Sequence, residues 1–184
     1  MGIIAVTIIF LCICVDNMVS ANMSATKLTP ENRNIFSIKV AFVFTAFNAV
    51  LFGLGYLFSI ILHGWTYFAH NWVAFAFTLL LGIKFMLESI EKSPSFTNMD
   101  VDDTRKLLKV SALIGMNALL VGYAVETMGK SFFPQVLILM ILTFAMTLLG
   151  FHLGHKNAKT IASKKFEFIA GLILVIMAVR LIII

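Results

Sequence analysis

The chain has 184 residues, of which 60 % are hydrophobic and only 12 % charged, and its mean hydropathy is +0.99. A soluble globular domain runs about 45–50 % apolar, so this composition excludes one and points to an integral membrane protein. The net charge of +5 would fit a nucleic-acid partner only if the bases clustered on one surface, and all but two of them instead lie in or beside short loops between apolar stretches.

Six apolar stretches of spanning length follow one another, at 2–22, 37–62, 70–90, 107–128, 134–154 and 165–184. Each is near the ~20 residues a transmembrane helix needs. Only closed barrels and helices satisfy the backbone in lipid, so the expected fold is an all-α integral membrane bundle of six transmembrane helices.

The first stretch begins as an unbroken apolar run, GIIAVTIIFLCICV, and then carries Asp16 and Asn17. An ionised carboxylate at mid-membrane costs at least ~2.5 kcal/mol on insertion scales, which makes Asp16 a functional-site candidate by default. Residues 19–21, VSA, resemble a small-residue cleavage site, but no Lys or Arg precedes the apolar run, so the segment is read as a span. Cys12 and Cys14 lie two apart and face different ways on a helix, as two buried thiols rather than a disulfide or metal pair.

The second stretch holds Thr45, Asn48 and Gly55; the third holds Lys84, with Glu88 one turn on. The linker SPSFTNMDVDDT carries Asp100, Asp102 and Asp103, but Arg105 stands where an EF-hand needs glycine. It reads as a solvated loop running into a helix cap. The fourth stretch holds Asn117, the fifth Thr143, Thr147, Gly150 and Gly154, and the sixth Arg180. His152 and His155 at the inner end of the fifth stretch, and His63 and His70 flanking the short external turn between the second and third, read as interfacial edge residues. No nucleophile–base pairing, HExxH run or phosphate-cradling loop is present, so an enzyme is not expected.

Charge placement orients the chain. Loops 1–2, 3–4 and 5–6 with their margins hold Lys27, Arg33, Lys39, Lys92, Arg105, Lys106, Lys109, Lys156, Lys159, Lys164 and Lys165, whereas the opposite side holds only Lys130. By the positive-inside rule these three loops are cytoplasmic and both termini lie outside.

The chain also repeats itself. AFAFTLLLGIK, ending at Lys84, is answered by AGLILVIMAVR, ending at Arg180; Asn48 lies seven before Gly55 as Thr147 lies seven before Gly154; and Asp16 is answered by Asn117. The offsets of 101, 99 and 96 agree within loop-length slack, so the chain divides into a first three-helix repeat (1–92), a cytoplasmic linker (93–106) and a second repeat (107–184). Three spans is an odd number, so the two copies are expected to be inverted in the membrane. Lys84 and Arg180 then snorkel toward opposite interfaces.

Inverted-repeat transporters bind substrate near the midplane where the repeats meet. This places Asp16, Asn48, Asn117 and Thr147 in a candidate site, and helical spacing adds Ser20, Thr45 and Thr143 on the same faces. Thr143, Thr147, Gly150 and Gly154 also form a small-residue stripe that lets helices approach closely. Carboxylate, amide and hydroxyl oxygens suit hard cations such as Mn2+ or Mg2+.

These residues carry a family resemblance. VDNMVSA around Asp16, NWVAFAFTLLLGIKFMLESI in the third stretch and GMNALLVG around Asn117 resemble the motifs of the MntP-type manganese efflux pumps, within the LysE-type transporter superfamily. The sequence departs from that pattern where Asn117 and Asn48 replace acidic residues. The resemblance implies six spans in two inverted halves, a plasma-membrane location and export of Mn2+, the metal being cargo and no resident cofactor being expected. A secondary transporter of this kind, lacking any ATP-binding motif, would exchange the metal for protons at Asp16. Two alternatives stay open: a diverged carrier of a monovalent cation or small solute, and a non-transporting membrane bundle.

Overall fold

A computed structural model of the chain describes residues 3–25, 33–63, 70–90, 104–156 and 160–183. They form six α-helices: α1 (Ile3–Ala25), α2 (Arg33–His63), α3 (His70–Ile90), α4 (Thr104–Thr127), α5 (Phe132–Lys156) and α6 (Thr160–Ile183). Among the described residues, five segments are long and apolar enough to cross a membrane: Ile4–Ala25, Ile35–Leu62, Asn71–Ile90, Thr104–Thr127 and Phe132–Gly154. The helices overrun the apolar stretches: α2 starts at Arg33, α4 at Thr104 and α6 at Thr160. Hydropathy marks the lipid-embedded part, whereas backbone hydrogen bonding continues into the polar flank, so Thr104–Lys106, expected in the linker, are helical.

Large apolar side chains cover the outside. Phe133, Ile35, Phe42 and Ile61 are each more than 70 % exposed, a surface that suits hydrocarbon rather than water. The helices share burial unequally. In the spanning window of α1, 72 % is buried and in that of α4, 56 %, against 33 % in α2 and 28 % in each of α3 and α5. α1 and α4 are therefore the central helices, and the polar residues they carry are held away from lipid.

The main packing pairs are α2 with α4, α1 with α5 and α3 with α6, followed by α2 with α5, α1 with α6 and α3 with α4. Glycines set the close crossings. A Cβ on Gly82 would meet the Gly171 carbonyl oxygen at 2.9 Å, and one on Gly171 would meet the Gly82 carbonyl oxygen at 2.7 Å. Gly55 and Gly122 hold α2 and α4 backbone to backbone, and Gly150 and Gly154 seat α5 on the Met18 and Asn22 carbonyls of α1. The small-residue stripe expected on α5 is thus the α1 contact. α4 ends in a tight turn at Gly129, whose φ of 65° is a left-handed value glycine adopts without a Cβ clash.

Besides a small cluster around Ala74, Tyr123 and Ala124, two larger apolar clusters fill the bundle at different levels. One gathers Val6, Phe10, Ile13 and Cys14 of α1 with Phe52, Leu81, Phe85, Ala118, Val121, Leu139 and Leu174. Within it Phe10 meets Phe52 edge to face, with centroids 5.6 Å apart. The other gathers Ala21, Ala25, Val40, Phe44, Leu107, Ile114 and Phe151. Between the two levels, α1 contributes Asp16, Asn17 and Ser20, α2 Asn48, α4 Asn117, and α5 Thr143 and Thr147.

Candidate functional site: a closed polar layer

The seven residues placed in the candidate site from the sequence are buried: Asp16, Ser20, Thr45, Asn48, Asn117, Thr143 and Thr147 are all at most 8 % exposed. The layer is closed on both sides by the apolar clusters. Burying polar atoms there is tolerable only if they are satisfied, and most of them bond one another or the backbone.

Its centre is a chain of polar contacts linking three helices. Asn117 Nδ2 donates to Asp16 Oδ2 at 2.7 Å, so the two residues expected to be repeat partners are in direct contact. On the other side of the same amide, Lys84 Nζ donates to Asn117 Oδ1 at 2.9 Å. Lys84 in turn lies 3.6 Å from Glu88 Oε1 on its own helix and 5.8 Å from the Phe85 ring centroid. The order is Asp16, Asn117, Lys84, Glu88. This corrects one expectation: Lys84 does not merely snorkel to the interface, since its ammonium reaches the Asn117 amide that binds Asp16.

The depth was readable. Asp16 lies thirteen residues into α1, Asn117 thirteen into α4 and Lys84 fourteen into α3, each about 20 Å along its axis at 1.5 Å per residue. The snorkelling reading took Lys84 by its distance from the end of the apolar stretch. The i, i+4 glutamate masks the inward alternative, because on sequence alone it supplies a sufficient partner.

A second group surrounds Asn48. Its Nδ2 donates to Asn17 Oδ1 at 3.2 Å and to the Phe44 carbonyl at 3.0 Å. Asn48 therefore reaches α1 through Asn17, a residue absent from the expected set although it adjoins Asp16 and faces about 100° round the helix. Thr45 Oγ1 donates to the Ala41 carbonyl at 2.7 Å and Thr147 Oγ1 to the Thr143 carbonyl at 2.7 Å. These are the back-bonds to the preceding turn that buried threonines make; the hydroxyl oxygens keep acceptor capacity. Thr143 Oγ1 lies 3.5 Å from Cys14 Sγ, which gives one thiol a polar neighbour. Ser20 Oγ is buried with no hydrogen-bond partner, one turn below Asp16 on the same face.

A hard cation entering this layer would find one carboxylate, the amides of Asn17, Asn48 and Asn117, and hydroxyls. No group of three or more His, Cys, Asp or Glu able to hold a metal occurs among the described residues, so neutral oxygens would have to supply most of the coordination. Asp100, Asp102 and Asp103 lie outside the described residues, as do the side chains of His63, His70 and His155; His152 is exposed. Cys12 and Cys14 are free and buried. Arg180 is exposed near the end of α6.

Comparison with known proteins supplies the family. The family model described as "Putative manganese efflux pump" matches residues 30–182. "Putative manganese efflux pump MntP 2" of Wolinella succinogenes is 24 % identical over 178 residues, 97 % of each chain, and so reaches into α1. The protein of that family from Crocosphaera subtropica is 26 % identical over 147 residues, 80 % of this chain and 78 % of its own. Its counterpart from Syntrophotalea carbinolica is 28 % identical over 145 residues, 78 % of this chain and 75 % of its own. No solved structure matches. The family is one of efflux transporters and not of enzymes. With a family match over most of its length and a polar layer buried in an apolar helical bundle, this chain belongs to the Mntp family of integral membrane proteins.

Proposed function

We propose that this chain is a secondary transporter that exports Mn2+ across the plasma membrane, with Asp16 as the anionic ligand and the exchange partner for protons. The single observation that carries the reading is the buried Asp16–Asn117 contact of 2.7 Å, Asp16 being the only buried carboxylate among the described residues of α1 and α4, with apolar clusters on both sides. Opening one cluster and then the other would expose the layer to alternate sides, which is the requirement for a carrier. Asp16, Asn117, Asn48, Ser20, Thr45, Thr143 and Thr147 supply the oxygens of the proposed metal site.

The proposed architecture is six spans in two inverted repeats, with α6 as the sixth. The packing supports it. Exchanging α1 with α4, α2 with α5 and α3 with α6 maps the α2–α4 contact onto α5–α1 and α1–α6 onto α4–α3, and leaves α3–α6 and α2–α5 in place. The basic loops place the cytoplasm on the side of loops 1–2, 3–4 and 5–6. Single cysteines near Lys159 in a background lacking Cys12 and Cys14 are then shielded from impermeant thiol reagents in intact cells, while one near Lys130 is labelled; the reverse pattern overturns the orientation.

The decisive experiment is Mn2+ efflux from loaded cells, and uptake into inverted vesicles with and without a proton gradient. Export of Mn2+ that follows the gradient supports the reading, and an expressed protein inert toward Mn2+ removes it. One observation favours a second reading, transport of a monovalent cation or small solute: Asn117 and Asn48 leave the layer with a single carboxylate, and Lys84 stands close to it. The same vesicles tested with monovalent ions separate the two.

A further inference from the structure

We propose that Lys84 is a tethered cation which holds the Asn117 amide while the site is empty and is displaced toward Glu88 by the transported ion. The proposal rests on the reading of the chain as a cation exporter. Its basis is the direction of the hydrogen bonds. The Lys84 ammonium can only donate, so the amide between them turns its oxygen to Lys84 and its nitrogen to an Asp16 oxygen, which accepts whether or not the carboxyl carries a proton. In that orientation the Asn117 oxygen points away from Asp16. A cation bound jointly by the Asp16 carboxylate and the Asn117 oxygen needs the amide to turn over, and that turn breaks the 2.9 Å bond to Lys84.

The lysine has somewhere to go. Its side chain is 37 % exposed, and Glu88 Oε1 stands 3.6 Å from its ammonium. Both lie on the open outer face of the second half of α3 with Leu80, Ile83, Leu87 and Ile90, and they are the two charged residues among these six. A long flexible stem lets the point charge move between the two acceptors. Repulsion between the ammonium and an arriving cation in a low-dielectric layer drives the withdrawal, and the return of the ammonium to the amide oxygen drives cation release. Lys84 is in this account a positioning residue: it sets the orientation of a ligand and does not ligate the ion.

Mn2+ titration of the purified full-length protein, by calorimetry and by thermal stabilisation, tests the proposal together with efflux rates. Removing Lys84 frees the amide to turn, so Lys84→Met binds Mn2+ about tenfold more tightly if the competent orientation is populated about a tenth of the time in the wild type. It also exports more slowly, because release loses its competitor. Glu88→Gln weakens the resting place of the withdrawn ammonium and lowers Mn2+ affinity severalfold. Lys84→Arg, which keeps the charge, stays closer to wild type than Lys84→Met. A lysine that merely braced α3 against α4 would, on removal, lower thermal stability without tightening Mn2+ binding. Binding by Lys84→Met that is unchanged or weaker, with wild type binding normally, overturns the proposal and leaves the export reading intact. If Lys84→Met does not fold, unchanged affinity in Glu88→Gln overturns it equally. Absence of Mn2+ binding in wild type and all variants overturns both readings.

Discussion

The two halves of the molecule, α1–α3 and α4–α6, use the same packing and different chemistry. In each, a central helix runs through the bundle with a polar residue just past its middle, and a glycine on the third helix meets a glycine of the other half. Yet the first half contributes Asp16, Asn17, Asn48, Lys84 and Glu88, whereas the second contributes Asn117, Thr143 and Thr147, and its Arg180 is exposed. The contacts that hold the helices together depend on shape and small residues. They constrain charge very little, so within the polar layer one half can carry ionisable groups while the other carries neutral ones.

The largest test of this asymmetry is Asp16→Asn. It keeps the shape of the side chain, removes the one anionic ligand of the layer and should bring Mn2+ efflux to background while the protein still inserts and purifies. Asp16→Ala should fail in the same assay and also lose stability. It leaves Asn117 Nδ2 without its acceptor, a deficit of about 1–3 kcal/mol for a buried donor. A bundle in which Asp16 were unpartnered would gain stability from its removal, so the thermal midpoint of Asp16→Ala discriminates directly. Wild-type efflux in either variant would show that the anion is not the coupling group.

Making the halves more alike is the next test. Asn117→Asp supplies the second half with the carboxylate it lacks, adjacent to both Asp16 and Lys84. The added hard anionic ligand should raise Mn2+ affinity, and two neighbouring carboxyls should make transport depend more steeply on pH because they titrate as a coupled pair. Manganese tolerance of cells carrying wild type or variant reads the outcome. A drop in tolerance at equal expression would favour a monovalent or neutral substrate.

The shared packing predicts equality instead. Gly82→Ala and Gly171→Ala each force a Cβ to within 3 Å of the opposite carbonyl, and overpacking of this kind costs about 1–3 kcal/mol. The two should lower the thermal midpoint by similar amounts. A large cost at one and none at the other would break the two-fold relation of α3 and α6. The smallest expected change in stability is that of Ser20→Ala. Its hydroxyl has no partner to lose, so the thermal midpoint should hold or rise slightly as the desolvation cost of a buried unpaired hydroxyl is removed. Its effect on Mn2+ affinity is the informative number, since a severalfold loss identifies Ser20 as a ligand and no change removes it from the site.

Membrane class, helix content and most of the polar positions in the buried layer, though not Asn17, were already determined by the sequence, because hydrocarbon imposes length and apolarity on any spanning segment and makes each polar exception expensive. Asp16, Asn48, Asn117 and the α5 threonines stood out as such exceptions, and the spacing between copies paired Asp16 with Asn117 before any contact was known. Only the tertiary structure decided how those groups are shared out: that Asn48 turns to Asn17, that Thr45 and Thr147 bond their own helices, and that Lys84 reaches inward to the Asn117 amide. Sequence periodicity places a residue on a face and at a depth. The direction of a flexible side chain depends on which acceptors neighbouring helices present, and for a lysine midway between a glutamate one turn on and an amide on another helix, that choice exists only once the helices are packed.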